Sequence, residues 1–446
     1  MESTPSSVTT SKLTKQGGEV RARWAWTEPS VWTDRMLTAL ETGVKGDVWF
    51  SLMDKVYSRR NLEAAFVKVK ANKGSSGVDH VSIERFEQGL EMELERLETQ
   101  LRQGTYTPNA VRRVWIPKGG GKMRPLGIPT VRDRVVQTAM RNVLEPIFER
   151  EFSERSYGFR PGRGAKDALR EVACLLDSGY RYIVDADIQG YFDAIPKTKL
   201  LASVKARVSD GRVLSLVSQY LNQPVMEGLN TWTPETGTPQ GAVISPLLAN
   251  IYLNPLDHIL AGAGMEMRRY ADDFVVLCRT RQEAETALDM IRAWMEEAEL
   301  TLHPEKTCIV DMTQQGNYFE FLGYRFKYSK NRDYRFPTPR SLKKIREGIR
   351  AKTRRTHGHS LEHIIATINP LLRGWFEYFK HSHYTIPEEI DGWVRMRLRS
   401  ILRKRAGRKG RGRGLDQNRY PNKFFAEYGL YCLKTAYAQA VQSPPG

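Results

Sequence analysis

Two acidic outcrops interrupt apolar runs in this chain. One is Ile183-Val184-Asp185-Ala186-Asp187; the other is Tyr270-Ala271-Asp272-Asp273, followed by Phe274-Val275-Val276-Leu277. Strand-borne carboxylates beside a basic surface suit magnesium, which takes oxygen ligands and is held by one or two carboxylates plus substrate phosphates. Two such ions about 3.5–4 Å apart stabilise both the attacking and the leaving oxygen of an in-line phosphoryl displacement. Asp is also a favoured turn residue, so the Asp272-Asp273 doublet alone reads first as a polar hairpin turn. Its surroundings change that balance. Asp187 is followed by Gly190-Tyr191-Phe192-Asp193, where Phe192 is placed to stack under a nucleotide sugar, although an aromatic is more often core. The run Gly237-Thr238-Pro239-Gln240-Gly241 leads into an apolar helix and offers Gln240 to the minor groove of an incoming base pair. Lys118 and Arg124 flank the Gly119-Gly120-Gly121 turn and can neutralise a triphosphate. Lys306, in His303-Pro304-Glu305-Lys306, can protonate a leaving pyrophosphate.

The elements that must position these side chains follow from hydrophobic period. Helical spacing marks residues 61–70, 83–101, 130–148, 165–176, much of 197–220, a helix starting at 246, and 282–299. Alternation marks strands at 111–117 and 182–187 and a hairpin around Asp272. The glycine-rich segment Lys73–Asp79 is no P-loop, because no Gly-Lys-Ser/Thr follows it. From about Phe336 the composition turns helical, arginine-rich and aromatic, so a domain boundary is expected within Tyr328–Pro339. Leu372, Trp375, Phe376 and Phe379 share one helical face and are expected to pack inward. That leaves Arg373 and Lys380 for phosphates and Tyr378 to stack on splayed bases.

Composition narrows the partner. The 446 residues hold 69 Lys+Arg against 51 Asp+Glu, a net charge of +18, which calls for a polyanion. The excess concentrates in Arg340–Arg355 and Arg395–Arg413, runs interleaved with aromatics as in nucleic-acid-binding chains. Arg403, Lys404, Arg405, Arg408 and Lys409 are therefore expected to contact nucleic acid, with Gly407–Gly414 a linker mobile until it meets RNA or DNA. No stretch approaches the roughly 20 apolar residues of a membrane span, and the Ser/Thr-rich start, Met1–Gly18, lacks the apolar core of a secretory signal. The four cysteines form no C-x-x-C pair, which argues against a zinc module. Cys174 and Cys278 are expected as buried thiols in a reducing compartment.

Taken in order, the motifs resemble a known family. IPKGGGKMRPLGIPTVRDRVVQ (116–137), YGFRPGRGAKDAL (157–169), DADIQGYFDAI (185–195), GTPQGAVISPLLANIYL (237–253), RRYADDFVVL (268–277), LTLHPEKT (300–307) and FLGY (321–324) are similar to the fingers and palm of group II intron-encoded reverse transcriptases. INPLLRGWFEYFKHSH (368–383) is similar to their maturase domain, domain X. The resemblance implies an α+β right-hand polymerase: fingers, a palm with a small antiparallel sheet, an α-helical thumb and a helical maturase domain. Its expected divisions are an N-terminal tail over 1–45, partly disordered; fingers and palm over 46–330, with an N-terminal extension at about 60–110; and thumb with domain X over 331–446. Asp187 and Asp272 would be the two metal-binding carboxylates, on adjacent strands, with Ile188 adding its carbonyl and Asp273 a less direct third acid. Two Mg²⁺ ions are implied, with Mn²⁺ able to substitute. Phe192 would be the steric gate against a 2′-hydroxyl, Lys118 and Arg124 the triphosphate grip, Gln240 the neighbour of the nascent base pair, and Lys306 the general acid. Gly74–Asp79 would clamp the template.

The implied activity is RNA-directed DNA synthesis coupled to intron splicing and retrohoming. The implied partners are intron RNA as template, a primer, target DNA and dNTPs, in a bacterial cytoplasm beside the nucleoid, with no membrane. No His-Asn-His nuclease cassette stands before Gly446, so second-strand priming is expected to come from elsewhere, for instance nascent single-stranded DNA. The rival readings are a domesticated reverse transcriptase in host repair or defence, and a splicing-only RNA-binding cofactor. The second would be expected to lose the acids, and Asp187, Asp272 and Asp273 all stand.

Overall fold

The computed structural model describes residues 20–119, 122–410, 412 and 414–442, and within them helices and sheets combine as an α+β fold. Eleven strands form three sheets among the described residues. β1 (Val111–Gly119), β2 (Lys122–Ile128), β4 (Val225–Glu227) and β5 (Asn230–Trp232) make one, in the order β2-β1-β4-β5. β1 runs antiparallel to β2 and parallel to β4. β3 (Tyr182–Asp187), β6 (Glu266–Tyr270), β7 (Asp273–Cys278) and β8 (Cys308–Asp311) make a second, in the order β6-β7-β3-β8. β9 (Phe319–Phe321), β10 (Tyr324–Ser329) and β11 (Arg332–Pro337) form an antiparallel meander.

The chain divides into two compact units. The first comprises Met1–Ala168, Ala186–Val276 and Glu285–Thr307; the second comprises Leu169–Asp185, Leu277–Ala284 and Cys308–Gly446. The expected division between 330 and 331 falls instead at the turn of the β10–β11 hairpin.

In the first unit the helix Val131–Glu149 is buried along most of its length, polar residues such as Asp133 and Asn142 included. Thr130 caps it, accepting from the Asp133 amide. Most of its buried polar groups find partners within the fold, the side-chain nitrogen of Gln137 being an exception. Asp133 accepts from the Tyr106 hydroxyl at 2.6 Å and the Asn109 amide at 3.1 Å, and Asn142 donates to Asn61 at 2.8 Å. Arg134 and Arg112 reach the Ser75 and Ser76 carbonyls, both at 2.6 Å, and so fix the glycine-rich segment 73–79. The tail reading of 1–45 does not hold for its described part. Asp34–Thr42 is helical, and Trp32 is fully buried with its indole donating to the Asn142 carbonyl. Residues 1–19 lie outside the described residues.

In the second unit, Thr338 and Ser360 cap the helices Pro339–Lys352 and Leu361–Phe379. These two helices and Thr385–Arg405 close over Ile349, Ile368, Leu372, Leu398 and Ile401, joined by Phe425 and Leu433. The expected inward face is present: Leu372, Phe376 and Phe379 are buried, and Trp375 is partly buried against the same core. The expected single helix over 83–101 is two, Ile83–Gln88 and Leu90–Gln103, broken at Gly89. Cys174 is exposed rather than buried, while Cys278 is buried and its thiol pushed up to about 12 by burial, then by Glu283.

Candidate active site

Asp187 is the last residue of β3. Beyond it the His303 amide donates to the Asp187 carbonyl at 2.7 Å, and the Gln189 amide to the Thr301 carbonyl at 2.8 Å. Ile188 therefore faces Leu302 as a non-hydrogen-bonded pair. Its own carbonyl points to the opposite side of the chain, the side on which β7 neighbours β3. The chain then turns at Gly190 into the short helix Tyr191–Ala194. Tyr191 takes the core position, its hydroxyl donating to the Ala249 carbonyl at 2.6 Å and pushed far up by burial. Phe192, half-buried, stands edge-on to Tyr191 at 5.6 Å.

Asp272 was expected on a strand; it lies instead in the turn between β6 and β7, with Ala271 in the left-handed region at φ 60°. A non-glycine residue held there is costly unless its surroundings impose it, and here they do. Arg269 is fully buried, forks onto Asp257 at 2.5 and 2.7 Å, and donates to Asn250 and to the Ala271 carbonyl, each at 2.9 Å. Burial opposes the Arg269 charge, but Asp257 more than offsets it and the guanidinium is pushed up. Asn250 in turn donates to the Gly158 carbonyl at 2.8 Å. Gly158 packs so close to the turn that a Cβ there would meet the Ala271 amide nitrogen at 2.3 Å. Arg269, Asp257 and Asn250 thus place the Asp272 turn, and none was singled out from sequence. A signal existed: Asn250 and Asp257 sit two turns apart on one face of a largely apolar helix, a spacing that asks for a buried polar partner.

Lys306 reaches the same site, its ammonium 2.7 Å from an Asp187 carboxylate oxygen, with both side chains roughly half exposed. Asp273 opens β7 and is exposed. Among the described residues no three His, Cys, Asp or Glu side chains cluster as a metal cage. Asp187 and Asp272 offer carboxylate oxygens here, and Ile188 a backbone carbonyl. That all-oxygen set fits magnesium, which completes its shell with water and substrate phosphate.

Gln240 donates to Asp193 at 2.9 Å, while the Thr238 amide donates to the Phe192 carbonyl at 2.7 Å. Gly127 in β2 donates to the Gln240 carbonyl at 2.6 Å. Gly241, at φ 104°, lies so close that a Cβ would meet the Gly127 carbonyl oxygen at 2.3 Å. This loop therefore ties β2 to the helix bearing Phe192. Beside it, Arg113, Gln223, Trp232, Asp193 and Gln240 line a cavity of about 190 Å³. Burial pushes the Asp193 carboxyl up although part of the side chain meets solvent, with Arg113 and Gln240 pulling the other way. Arg124 is exposed on β2 opposite Ile116. Lys118 lies at the irregular step of the β1–β2 register between Pro117 and Gly119; its side chain lies outside the described residues.

The expected RNA contacts all belong to the second unit and separate into two groups. Lys404, Arg408 and Lys409 are exposed, as is Arg373, which lies over the Tyr431 ring at 5.4 Å. Others are engaged within the fold. Arg403 pairs with buried Asp416 at 2.6 Å, Arg405 donates to the His359 carbonyl, and Lys380 pairs with Glu377 at 3.5 Å. Tyr378 is not a free stacking platform: its hydroxyl donates to the Leu322 carbonyl at 2.7 Å and its ring packs on Phe379. Nor is Gly407–Gly414 a loose linker. Arg355 holds the Gly410 carbonyl, and buried Gly412 donates to the Ser400 hydroxyl at 3.1 Å; residues 411 and 413 lie outside the described residues.

Comparison with known proteins identifies two families along the chain. Residues 116–326 match the family model of reverse transcriptase (RNA-dependent DNA polymerase), and residues 342–420 match the group II intron maturase-specific domain. The chain is 34% identical over 353 residues to protein YkfC of Escherichia coli, a match covering 70% of this chain and 87% of YkfC. It is 36% identical over 208 residues to the group II intron-encoded protein LtrA of Lactococcus lactis, covering 46% of this chain but only 34% of LtrA. Among solved structures, a partial Cas6-RT-Cas1–Cas2 complex aligns at 25% identity and TM-score 0.36, over 55% of this chain and 41% of that one.

Proposed function

The chain belongs to the group II intron-encoded reverse transcriptase and maturase family, with an RNA-directed DNA polymerase domain and a maturase domain, and from that premise we propose how its own residues divide the work. Asp187, Asp272 and the Ile188 carbonyl hold two Mg²⁺ ions, for which Mn²⁺ can substitute. Held there, such ions would supply Lewis-acid polarisation of the primer 3′-hydroxyl and of the dNTP phosphates for attack at the α-phosphate. Asp273 acts less directly. Lys306 keeps a proton at Nζ beside Asp187 and delivers it to the departing pyrophosphate. Lys118 and Arg124 neutralise the triphosphate. Gln240, oriented by Asp193, faces the nascent base pair, and Phe192 excludes a 2′-hydroxyl. The template is the intron RNA and the eventual partner is target DNA, in the bacterial cytoplasm near the nucleoid. No described helix is long and apolar enough to cross a membrane.

The observation that supports this reading most directly is the pairing of positions. Asp187 closes β3, and Asp272 occupies the turn into β7, the neighbouring strand, held by the buried Arg269 network. The test is primer extension on an RNA template with each dNTP and Mg²⁺, using Asp272→Ala as control. Template-directed extension by the parent and none by the variant is expected; extension surviving in the variant would overturn the assignment. Maturase activity is tested on the same preparation by the splicing rate of the cognate intron RNA.

A further inference from the structure

Arg350, Arg355 and Arg397 line one cavity of about 390 Å³ in the second unit, together with Thr353 and Trp393. A second cavity of about 410 Å³ shares Arg350 and Arg397 and adds Arg354. No carboxylate lines the first; the second has Glu347, which lies 3.9 Å from Lys343. What holds these guanidinium groups is neutral. Arg397 donates to the Thr353 hydroxyl at 2.7 Å and carbonyl at 2.9 Å, and Arg355 donates to the Gly410 carbonyl. Arg350 and Arg397 both approach the Trp393 ring, at 5.8 and 5.5 Å.

Crowding like charges with neutral acceptors has a cost. Burial first, then Arg350 and Arg355, pushes the Arg397 guanidinium down from its ordinary value. Arginine nonetheless stays charged in proteins, so the group cannot relieve the repulsion by losing its proton. An anion can relieve it. The planar fork matches a phosphate with two parallel hydrogen bonds, and its preset orientation reduces the entropy lost on binding.

We propose that Arg350, Arg355 and Arg397, braced by Thr353 and Trp393, form a cradle for the phosphodiester backbone of RNA. The choice of RNA rests on the maturase reading, since all of these residues lie within the maturase-specific match at 342–420. The cradle differs from the basic run at 403–409, whose Arg403 is engaged by Asp416.

The test uses the full chain with Arg350, Arg355 and Arg397 all changed to Gln, and Arg350→Gln alone as the variant least able to disturb folding, Arg350 being exposed and lying over the Trp393 ring. Binding of a structured intron RNA is measured across a salt series by fluorescence anisotropy, with thermal melting as the folding control. Each phosphate left without its arginine should reduce the log–log salt slope by about 0.7–0.9, so the triple variant should fall by about 2–3 and the single variant by just under 1. Phosphate contacts carry no sequence information, so an unrelated RNA of equal length should show the same reduction. Inorganic phosphate at constant ionic strength should compete with RNA on the parent and much less on the triple variant. An unchanged slope in a folded Arg350→Gln variant, or equal phosphate competition on parent and triple variant, would overturn the cradle. A reduced slope on duplex DNA but not on RNA would overturn its assignment to RNA. Parent protein that shows no preference for intron RNA over unrelated RNA would sink the maturase reading alone, since the slopes still judge the cradle.

Discussion

Arg269 and Arg397 carry the same group away from water and meet opposite company. Arg269 is fully buried and forked onto a buried carboxylate, with Asn250 and the Ala271 carbonyl taking its remaining donors. Arg397 is half-buried, held by Thr353 and pressed by two further arginines. The first arrangement is closed: every charge has its complement, and what it delivers is the position of the backbone turn that carries Asp272. The second is open, and its missing complement must come from a ligand. A cation satisfied inside the protein is scaffold; one held in place but uncompensated is a receptor.

The strongest way to break that distinction is at the chemistry the scaffold serves. Asp187→Ala and Asp272→Ala should each abolish DNA synthesis, a loss beyond the ~10²–10³-fold typical of removing one electrostatic catalytic group. RNA affinity should hardly change, because the carboxylates are not RNA ligands. Residual extension within about tenfold of the parent, well short of that scale, would remove both residues from the metal site.

Next in size is the scaffold itself. Arg269→Met leaves Asp257 buried without its partner, and breaking a buried pair from one side costs about 3–5 kcal/mol. The variant should melt well below the parent. Arg269→Met with Asp257→Leu replaces the pair by apolar groups, so much of the stability should return while extension stays low, because the Ala271 carbonyl no longer has its donor. If the double variant regains both, Arg269 is only a stability element.

How much of this could be read in advance depended on how conspicuous each residue is. Asp187 and Asp272 stand out because carboxylates are rare within or beside such apolar runs, and the Gln240 loop because its glycines and prolines punctuate the chain. Most of the long helices were legible from period, but Asp34–Thr42 was not, and the break at Gly89 was hidden within a continuous apolar spacing. The β4–β5 hairpin and the β9–β11 meander were not expected: β4, β5 and β9 span three residues each, too few to show a period, and the alternation present in β10 and β11 covers only six residues apiece. The docking of Gly407–Gly414 was invisible for another reason. It depends partly on the Gly410 carbonyl, and every residue has a carbonyl, so composition leaves no trace of it. The same holds for Tyr378 and Arg405, expected to face RNA and found on the Leu322 and His359 carbonyls.

The basic run sharpens the comparison within one helix end. Arg403 belongs to the closed kind, paired with buried Asp416; Lys404, Arg408 and Lys409 are exposed. Changing those three to Ala should lower the salt slope of RNA binding by about 0.7–0.9 for each phosphate no longer neutralised, and splicing should fall more than extension of a pre-annealed primer. Arg403→Ala should instead lower the melting temperature with little change in slope. Equal losses in splicing and extension for the triple variant would reduce the run to a solvated tail.

A smaller effect is expected at the sugar. Phe192→Val in a folded protein should raise the ribonucleotide-to-deoxynucleotide efficiency ratio, on the order of the tenfold or more that a pocket's steric selectivity can supply. Tyr191 beside it already fills the core position, so the substitution should leave melting nearly unchanged. An unchanged ratio would make Phe192 a packing residue.

Asp133 supplies a third case and the finest test: a buried acid held by neutral donors. The Tyr106 hydroxyl and the Asn109 amide donate to it, and Thr130 and the more distant charge of Arg132 also favour its ionised form, yet burial outweighs them and pushes its carboxyl above the ordinary value of 3.8. The folded state then binds this proton more tightly than the unfolded chain does. Stability from this group is therefore greatest at low pH and falls as pH rises from about 3.8 through the folded pKa, the reverse of a salt-bridged carboxylate. Asp133→Asn removes the ionisation and keeps the shape. In denaturant unfolding across that range, the parent should lose stability relative to the variant as pH rises, with the gap levelling off once Asp133 is ionised. A gap that stayed constant with pH would mean that hydrogen bonds from neutral groups compensate a buried charge as fully as Asp257 compensates Arg269, and the line drawn between closed and open sites would need another basis.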